Sequence, residues 1–212
     1  TGKKVILRAP GSYHGSASIW QEGKDKWLKR QGVLPEEKAS VITYYFNDLN
    51  SVMEAFDQAK GNVAAIIIAA FRWDYGQAQE LCTAQFLQGV RKICDDNNAL
   101  LICDDVRSAY RISPKGTWAD ERYGHGVEPD ISCLCKGIAN GQPLSVVIGN
   151  AKCRKGAENI NATGSFWANA VPFASALATI PLTEAGAAQS EKMGTLLMMR
   201  LSMQSCSLYQ TQ

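Results

Sequence analysis

Two residues draw attention by where they fall. Lys136 closes the apolar run Ile131-Ser132-Cys133-Leu134-Cys135, and Asp104 closes Ala99-Leu100-Leu101-Ile102-Cys103. A charged amine is costly to bury. Lys136 therefore either snorkels, pairs with a carboxylate, or serves as an imine-forming nucleophile, since desolvation lowers an amine's pKa and exposes its lone pair. Gly137 and Gly141 beside it would let a bulky ligand approach the backbone. Asp104 needs donors or a cation. It reads as a helix cap, an ion pair, or the carboxylate that keeps a pyridine nitrogen protonated so that the ring accepts electrons from a carbanion. A strand-end aspartate followed by a strand-end lysine is the pair that pyridoxal 5'-phosphate chemistry requires. A third candidate is Tyr13-His14, in the glycine-rich turn Pro10-Gly11-Ser12-Tyr13-His14-Gly15; a histidine hydrogen-bonded inside a turn is the plain alternative.

These residues need a scaffold, and the pattern supplies one. Strands are predicted at 3–7, 40–45, 64–70, 99–103, 131–135 and 144–148. Helices are predicted at 49–59, with Asp48 as N-cap and Gly61 as stop, at 84–97, from 173, and as a long amphipathic helix at 184–203. Strands alternating with helices give βαβ units, hence an α/β, three-layer αβα sandwich with a mostly parallel sheet. In such sheets ligands gather at the carboxyl ends of the strands. Tyr13-His14, Asp104 and Lys136 all fall there.

Composition narrows the partners. The chain has 212 residues, 46% hydrophobic and 20% charged, with a net charge of +2 and no basic run. Disorder is excluded, and nothing argues for nucleic acid. The longest apolar run, Val63 to Phe71, is about half a membrane span, so no membrane partner is expected. Seven cysteines, several in apolar runs, predict buried free thiols in a reducing compartment, so a cytoplasmic location is expected, or an organelle if a transit peptide is missing. Cys133-x-Cys135 lacks zinc-site spacing, and the histidines number only 2. Walker, dinucleotide and nucleophile-elbow motifs do not occur. The tryptophans at 20, 27, 73, 118 and 167 read as core or interface residues, and Asn161-Ala162-Thr163 is a sequon without meaning for a cytosolic chain.

At this point the residues carry a resemblance. Asp104-Asp105-Val106-Arg107-Ser108-Ala109-Tyr110-Arg111 resembles the Asp-Glu-Val-x-x-Gly-Phe-Arg segment of class III pyridoxal-phosphate-dependent aminotransferases. Residues Pro129 to Pro143 resemble their Schiff-base lysine segment, Tyr13-His14-Gly15 their turn over the cofactor ring, and Gly164-Ser165-Phe166-Trp167-Ala168-Asn169-Ala170 a later Gly-Thr-x-x-x-Asn-Pro segment. Phe46-Asn47-Asp48-Leu49 and Phe86-Leu87-Gln88-Gly89-Val90-Arg91 match in order. The segments jointly are specific; the nearest branch is that of the semialdehyde aminomutases.

The resemblance implies the large domain of a fold-type I pyridoxal phosphate protein over residues 1–204, with 205–212 a polar tail. It implies Lys136 as Schiff-base lysine and proton shuttle, and Asp104 on the pyridine nitrogen. Val106 and Tyr13 would take the two ring faces, with His14 supporting the Tyr13 wall. Ser165 would stand for a threonine that reaches the phosphate of the neighbouring subunit's cofactor, although a loop or N-cap serine reads nearly as well. The implied partners are an amino donor and a carbonyl compound, within a homodimer. Departures are Ala69-Ala70 for Glu-Pro, Asp105 for glutamate and Ala170 for proline. The family's phosphate-binding loop and its small C-terminal domain have no counterpart in these 212 residues. The alternative function is therefore a truncated, non-catalytic or partner-requiring chain of the same fold.

Overall fold

The structure is a computed structural model. It describes residues 1–20, 33–72, 79–161, 164–166 and 169–209, with side chains as far as 203. In chain order the elements are β1 (Val5–Arg8), α1 (Pro35–Ala39), β2 (Val41–Thr43), α2 (Leu49–Gln58), β3 (Val63–Ala69), β4 (Phe71–Arg72), β5 (Glu80–Leu81) and α3 (Ala84–Asp96). They continue with β6 (Leu100–Asp104), α4 (Glu121–Gly124), β7 (Ile131–Leu134), β8 (Val146–Gly149), α5 (Arg154–Ala157), α6 (Ala170–Thr179) and α7 (Thr183–Tyr209).

Six strands form one sheet in the order β2-β1-β3-β6-β7-β8. All its pairings are parallel except β7 with β8, which is antiparallel. The predicted α/β sheet is thus present, closed on one side by an antiparallel edge strand. Why β3 lies inside follows from its sequence. Successive strand side chains point to opposite faces, and Ile66, Ile67 and Ile68 are all buried. Both faces of the sheet are therefore covered, as an unbroken apolar run in a parallel sheet requires. Each such side chain contributes about 2 kcal/mol by leaving water.

The helices are cut where local chemistry says. Asp48 caps α2 by accepting the Ser51 N–H, and Thr83 caps α3 by accepting the Phe86 N–H. After α2 the chain turns through Lys60 and Gly61, both at positive φ. Phe86, Leu87, Val90 and Cys94 form the buried face of α3. Of the tryptophans, Trp118 is buried and Trp20 half-buried; Trp27, Trp73 and Trp167 lie outside the described residues, as does part of the sequon. Cys82, Cys94 and Cys103 are buried and free. Burial pushes the thiols of Cys82 and Cys94 up to about 12.

One expectation fails. The long C-terminal helix forms, but it is not amphipathic. Leu196, Leu197, Met198 and Met199 are consecutive, so they point all round the axis, and all are exposed.

The strand order has a further consequence. The chain passes from β1 to β2 on one side and returns to β3 on the other, so the order reverses between β1 and β3. A crevice opens at the carboxyl ends beside such a reversal.

Candidate active site

That crevice is a cavity of about 870 Å³. Tyr13, His14, Asp104, Val106, Cys133 and Lys136 all line it. Four of the five residues expected to touch the ring came from three separate turns: Tyr13 and His14 follow β1, Asp104 ends β6, and Lys136 follows β7. The parallel register places Ala69 of β3 beside Asp104 and Asp104 beside Cys133. The turns therefore emerge side by side at one end of the sheet.

The centre of the site is a hydrogen bond that the sequence does not advertise. His14 Nδ1 donates to Asp104 Oδ2 at 2.6 Å, and the histidine side chain is 1% exposed against 11% for the aspartate. The other carboxylate oxygen accepts the Val106 N–H at 3.2 Å. The sequence reading has His14 supporting the Tyr13 wall; in the structure its imidazole holds the Asp104 carboxylate. It does so because a buried carboxylate left without a donor would be far more costly than a bonded one. The Nε2 atom of His14 is buried without a hydrogen-bond partner among the described residues. The indole of Trp20 packs edge-on to the imidazole, 5.7 Å between centroids. Arg8, buried at the end of β1, donates to the Trp20 carbonyl at 2.6 Å and fixes that segment.

Lys136 is exposed. Its backbone sits at φ 44°, in the left-handed region. A lysine there costs about 1 kcal/mol or more, the kind of strain found where a side chain must be aimed. What holds the turn is a close approach. A Cβ on Gly137 would lie 2.9 Å from the Ala109 carbonyl oxygen, so only glycine fits beneath the 105–112 segment.

That segment is anchored by Asp105, which is buried. It accepts Ser108 Oγ–H, Thr117 N–H and Thr117 Oγ1–H, each at 2.6 Å. Burial raises its pKa, and these bonds only partly offset the rise. Asp105 is a structural anchor rather than a second acid in the cavity. Cys133, on the cavity wall, has its thiol pushed up to about 11 by burial first and by the Asp104 charge second. Tyr13 is 74% exposed at the mouth. Ser165 is exposed and is not part of this cavity wall.

The donor set can be tested against pyridoxal 5'-phosphate. A buried carboxylate, fixed from behind by an imidazole, suits a ring N–H⁺. An amine in reach of the same cavity suits an aldehyde, and an aliphatic and an aromatic side chain suit two ring faces. The residues present fit the group.

Sequence and structural comparison place the chain. Residues 3–208 match the family described as aminotransferase class-III, so the chain belongs to that family. It is 39% identical over 180 residues to an aminopentol aminotransferase of Sphingopyxis macrogoltabida, covering 85% of this chain and 40% of that one. It is 31% identical over 186 residues to a glutamate-1-semialdehyde 2,1-aminomutase of Caldicellulosiruptor saccharolyticus, covering 85% and 42%. Among solved structures, the pyridoxal-phosphate internal aldimine form of the FumI protein of Sphingopyxis sp. MTA144 superposes with a TM-score of 0.78 at 37% identity, covering 86% and 42%. The chain thus spans about two fifths of the length of these relatives. The fold is that of the fold-type I pyridoxal phosphate enzymes.

Proposed function

We propose that this chain carries the cofactor-binding part of a pyridoxal-phosphate-dependent aminotransferase or aminomutase. The observation that carries the reading is the convergence of Lys136 with the His14–Asp104 pair in one cavity. The bound cofactor supplies a conjugated ring that takes up the electron pair left when the substrate carbon loses its proton. The chain supplies the rest. Asp104 would keep a proton on the ring nitrogen, and His14 Nδ1–H holds the carboxylate in place. Val106 and Tyr13 confine the ring from its two faces. Lys136 Nζ holds the aldehyde carbon between turnovers. As a free amine it would take the proton from the substrate carbon and deliver it to the carbon that had been the cofactor's aldehyde. Ser165 faces outward, suited to a neighbouring subunit's phosphate.

The substrates on this reading are an amino donor and a carbonyl compound, and the assembly is a homodimer. Apolar surface on α6 and β8 supports the assembly: Leu177 and Val147 are 75% and 69% exposed. Residues 1–204 form its large domain. The free thiols support a cytoplasmic location.

The test is spectroscopic. Protein incubated with pyridoxal phosphate should gain a visible band, and borohydride should fix the label on the peptide holding Lys136. Lys136→Ala should lose both. A colourless, unlabelled protein would overturn the proposal. A band that amino donors fail to bleach would favour the second reading, a chain that holds cofactor but needs a further chain for transfer.

A further inference from the structure

The turn that carries Lys136 ends on the one asparagine of the chain that a glycine follows, in Asn140-Gly141. Lys136–Ala139 form a short 3₁₀ turn, and Asn140 closes it in the left-handed region, at φ 42° and ψ 55°. Asn140 and Gly141 are both exposed. The Asn140 side-chain amide and the Gly141 N–H have no hydrogen-bond partner among the described residues. Gly141 sits at φ 105°, and a Cβ there would meet nothing within 4 Å.

Other asparagines are held. Asn47 Nδ2 donates to Glu80 and to the Leu81 carbonyl, and its Oδ1 accepts the Thr83 N–H. Asn150 donates to Asp130 and accepts the Lys152 N–H. After Asn98, the Ala99 N–H is already bonded to the Cys94 carbonyl at 2.9 Å. A backbone nitrogen tethered next to a side-chain carbonyl is an intramolecular nucleophile. Reaching that carbonyl takes a swing about ψ of Asn140, which an unbonded glycine with open space around it permits.

We propose that Asn140 is a site of spontaneous deamidation, with isoaspartate among its products. The Gly141 nitrogen gives up its proton and bonds to Asn140 Cγ. The Cγ–Nδ2 bond breaks, and Nδ2 leaves with a proton as ammonia. Water then opens the five-membered imide at Cγ, giving aspartate, or at the main-chain carbonyl, giving isoaspartate. Isoaspartate routes the main chain through Cγ and adds a methylene to it. The Ala139 carbonyl accepts Ser175 Oγ–H at 2.7 Å and the Gln142 N–H at 3.1 Å. The Gln142 bond spans the lengthened link, so isoaspartate opens the turn behind Lys136, whereas aspartate keeps the original path. That the opened turn costs the lysine its aim at a cofactor rests on the reading of Lys136 given above.

The full chain is kept warm at mildly alkaline pH beside a free peptide of residues 136–144. Both are followed by peptide mass spectrometry and by methylation with an isoaspartyl methyltransferase. The segment holding Asn140 should gain about one dalton and accept methyl at a rate within about tenfold of the free peptide's, since an exposed turn without bonds opens at little cost. Asn150 should stay intact, and Asn140→Gln, whose cyclisation needs a larger ring, should gain no mass. Chains bearing isoaspartate should take at least tenfold less borohydride-fixed label at Lys136 than fresh ones, while Asn140→Asp labels like the fresh chain. An Asn140 that outlasts the free peptide by more than about a hundredfold, or that reacts no faster than Asn150, would overturn the site. Equal labelling of aged and fresh chains would overturn its coupling to the lysine. The two readings fail separately, because the mass gain is read without cofactor. A chain that gains mass but never shows the band loses the amino-transfer reading; one that shows the band with Asn140 intact loses only this site.

Discussion

Asp104 and Asp130 are both aspartates at ends of neighbouring parallel strands, their side chains 11% and 2% exposed, but at opposite ends of the sheet. Asp130 precedes β7. Its carboxylate accepts the Leu101 N–H at 2.9 Å, Arg91 Nη1–H at 2.8 Å and Asn150 Nδ2–H at 2.8 Å, and Lys152 Nζ lies 3.5 Å away. Asp104 ends β6 and accepts from His14 and from the Val106 N–H, on the wall of a cavity. A carboxylate offers about four lone-pair sites. At Asp130 the protein fills three and adds a cation, which makes a clamp between β6, β7 and α3. At Asp104 it fills two and leaves capacity toward the cavity. The lesson is that burial and residue type do not separate structure from function here; unfilled hydrogen-bonding capacity does.

That contrast can be broken by exchanging losses between the two ends. Asp104→Asn should lower the rate at which amino donors bleach the cofactor band by about a hundredfold, as expected for losing a charged hydrogen bond, while the melting temperature barely moves. Arg91→Ala should do the reverse. It leaves Asp130 buried and short of its main cation, at a cost of about 3 kcal/mol. For a chain of this size that is a fall of about 6–12 °C in melting temperature. If Arg91→Ala disturbed the band more than the melting point, the division between the two ends would fail.

A smaller effect is expected at His14. His14→Phe keeps a ring against Trp20 but removes the donor to Asp104, and should slow bleaching by about tenfold. Gly137→Ala should press a methyl on the Ala109 carbonyl and destabilise by about 1–2 kcal/mol, with loss of label at Lys136 exceeding that of a surface glycine variant such as Gly156→Ala, which meets nothing within 4 Å.

The smallest effect is the acid limb of stability. Burial alone would raise the Asp130 pKa, but the Leu101 N–H and then Arg91 and Asn150 outweigh it, and the net direction is down from the ordinary 3.8. Below that ordinary value the unfolded chain binds the proton that the folded chain still refuses. The contribution is therefore complete above the unfolded pKa and lost as pH falls through the folded one. Asp130→Asn should flatten the dependence of melting temperature on pH below about 4.

Much of this was legible before any coordinates. Apolar runs of strand length, separated by capped helical stretches, predict the parallel sheet, and the polar residue that closes such a run must stand at a strand end. That places Asp104 and Lys136 near one another without further information. What was illegible depended on residues distant in sequence. His14 lies 90 positions from the carboxylate it holds. The isolated histidine in a turn gave no sign of that partner, because a donor announces itself only when its acceptor is in view. Asp130 was read only as part of a matching segment, since its partners come from elsewhere in the chain: Leu101 on β6, Arg91 on α3, and Asn150 and Lys152 after β8. Arg111 likewise looked like a motif residue, and its stem over Gly137 appears only when the two turns meet.

The sequence by itself determined which residues close the strands, and hence the sheet and the pair of groups able to hold a pyridine ring, because hydrophobic period and local caps are properties of neighbours along the chain. The tertiary structure alone decided which of the two carboxylates keeps unused capacity and that Lys136 is exposed on a left-handed turn. Those depend on the direction in which donors converge in space, and convergence is set by packing between segments that the chain order keeps far apart.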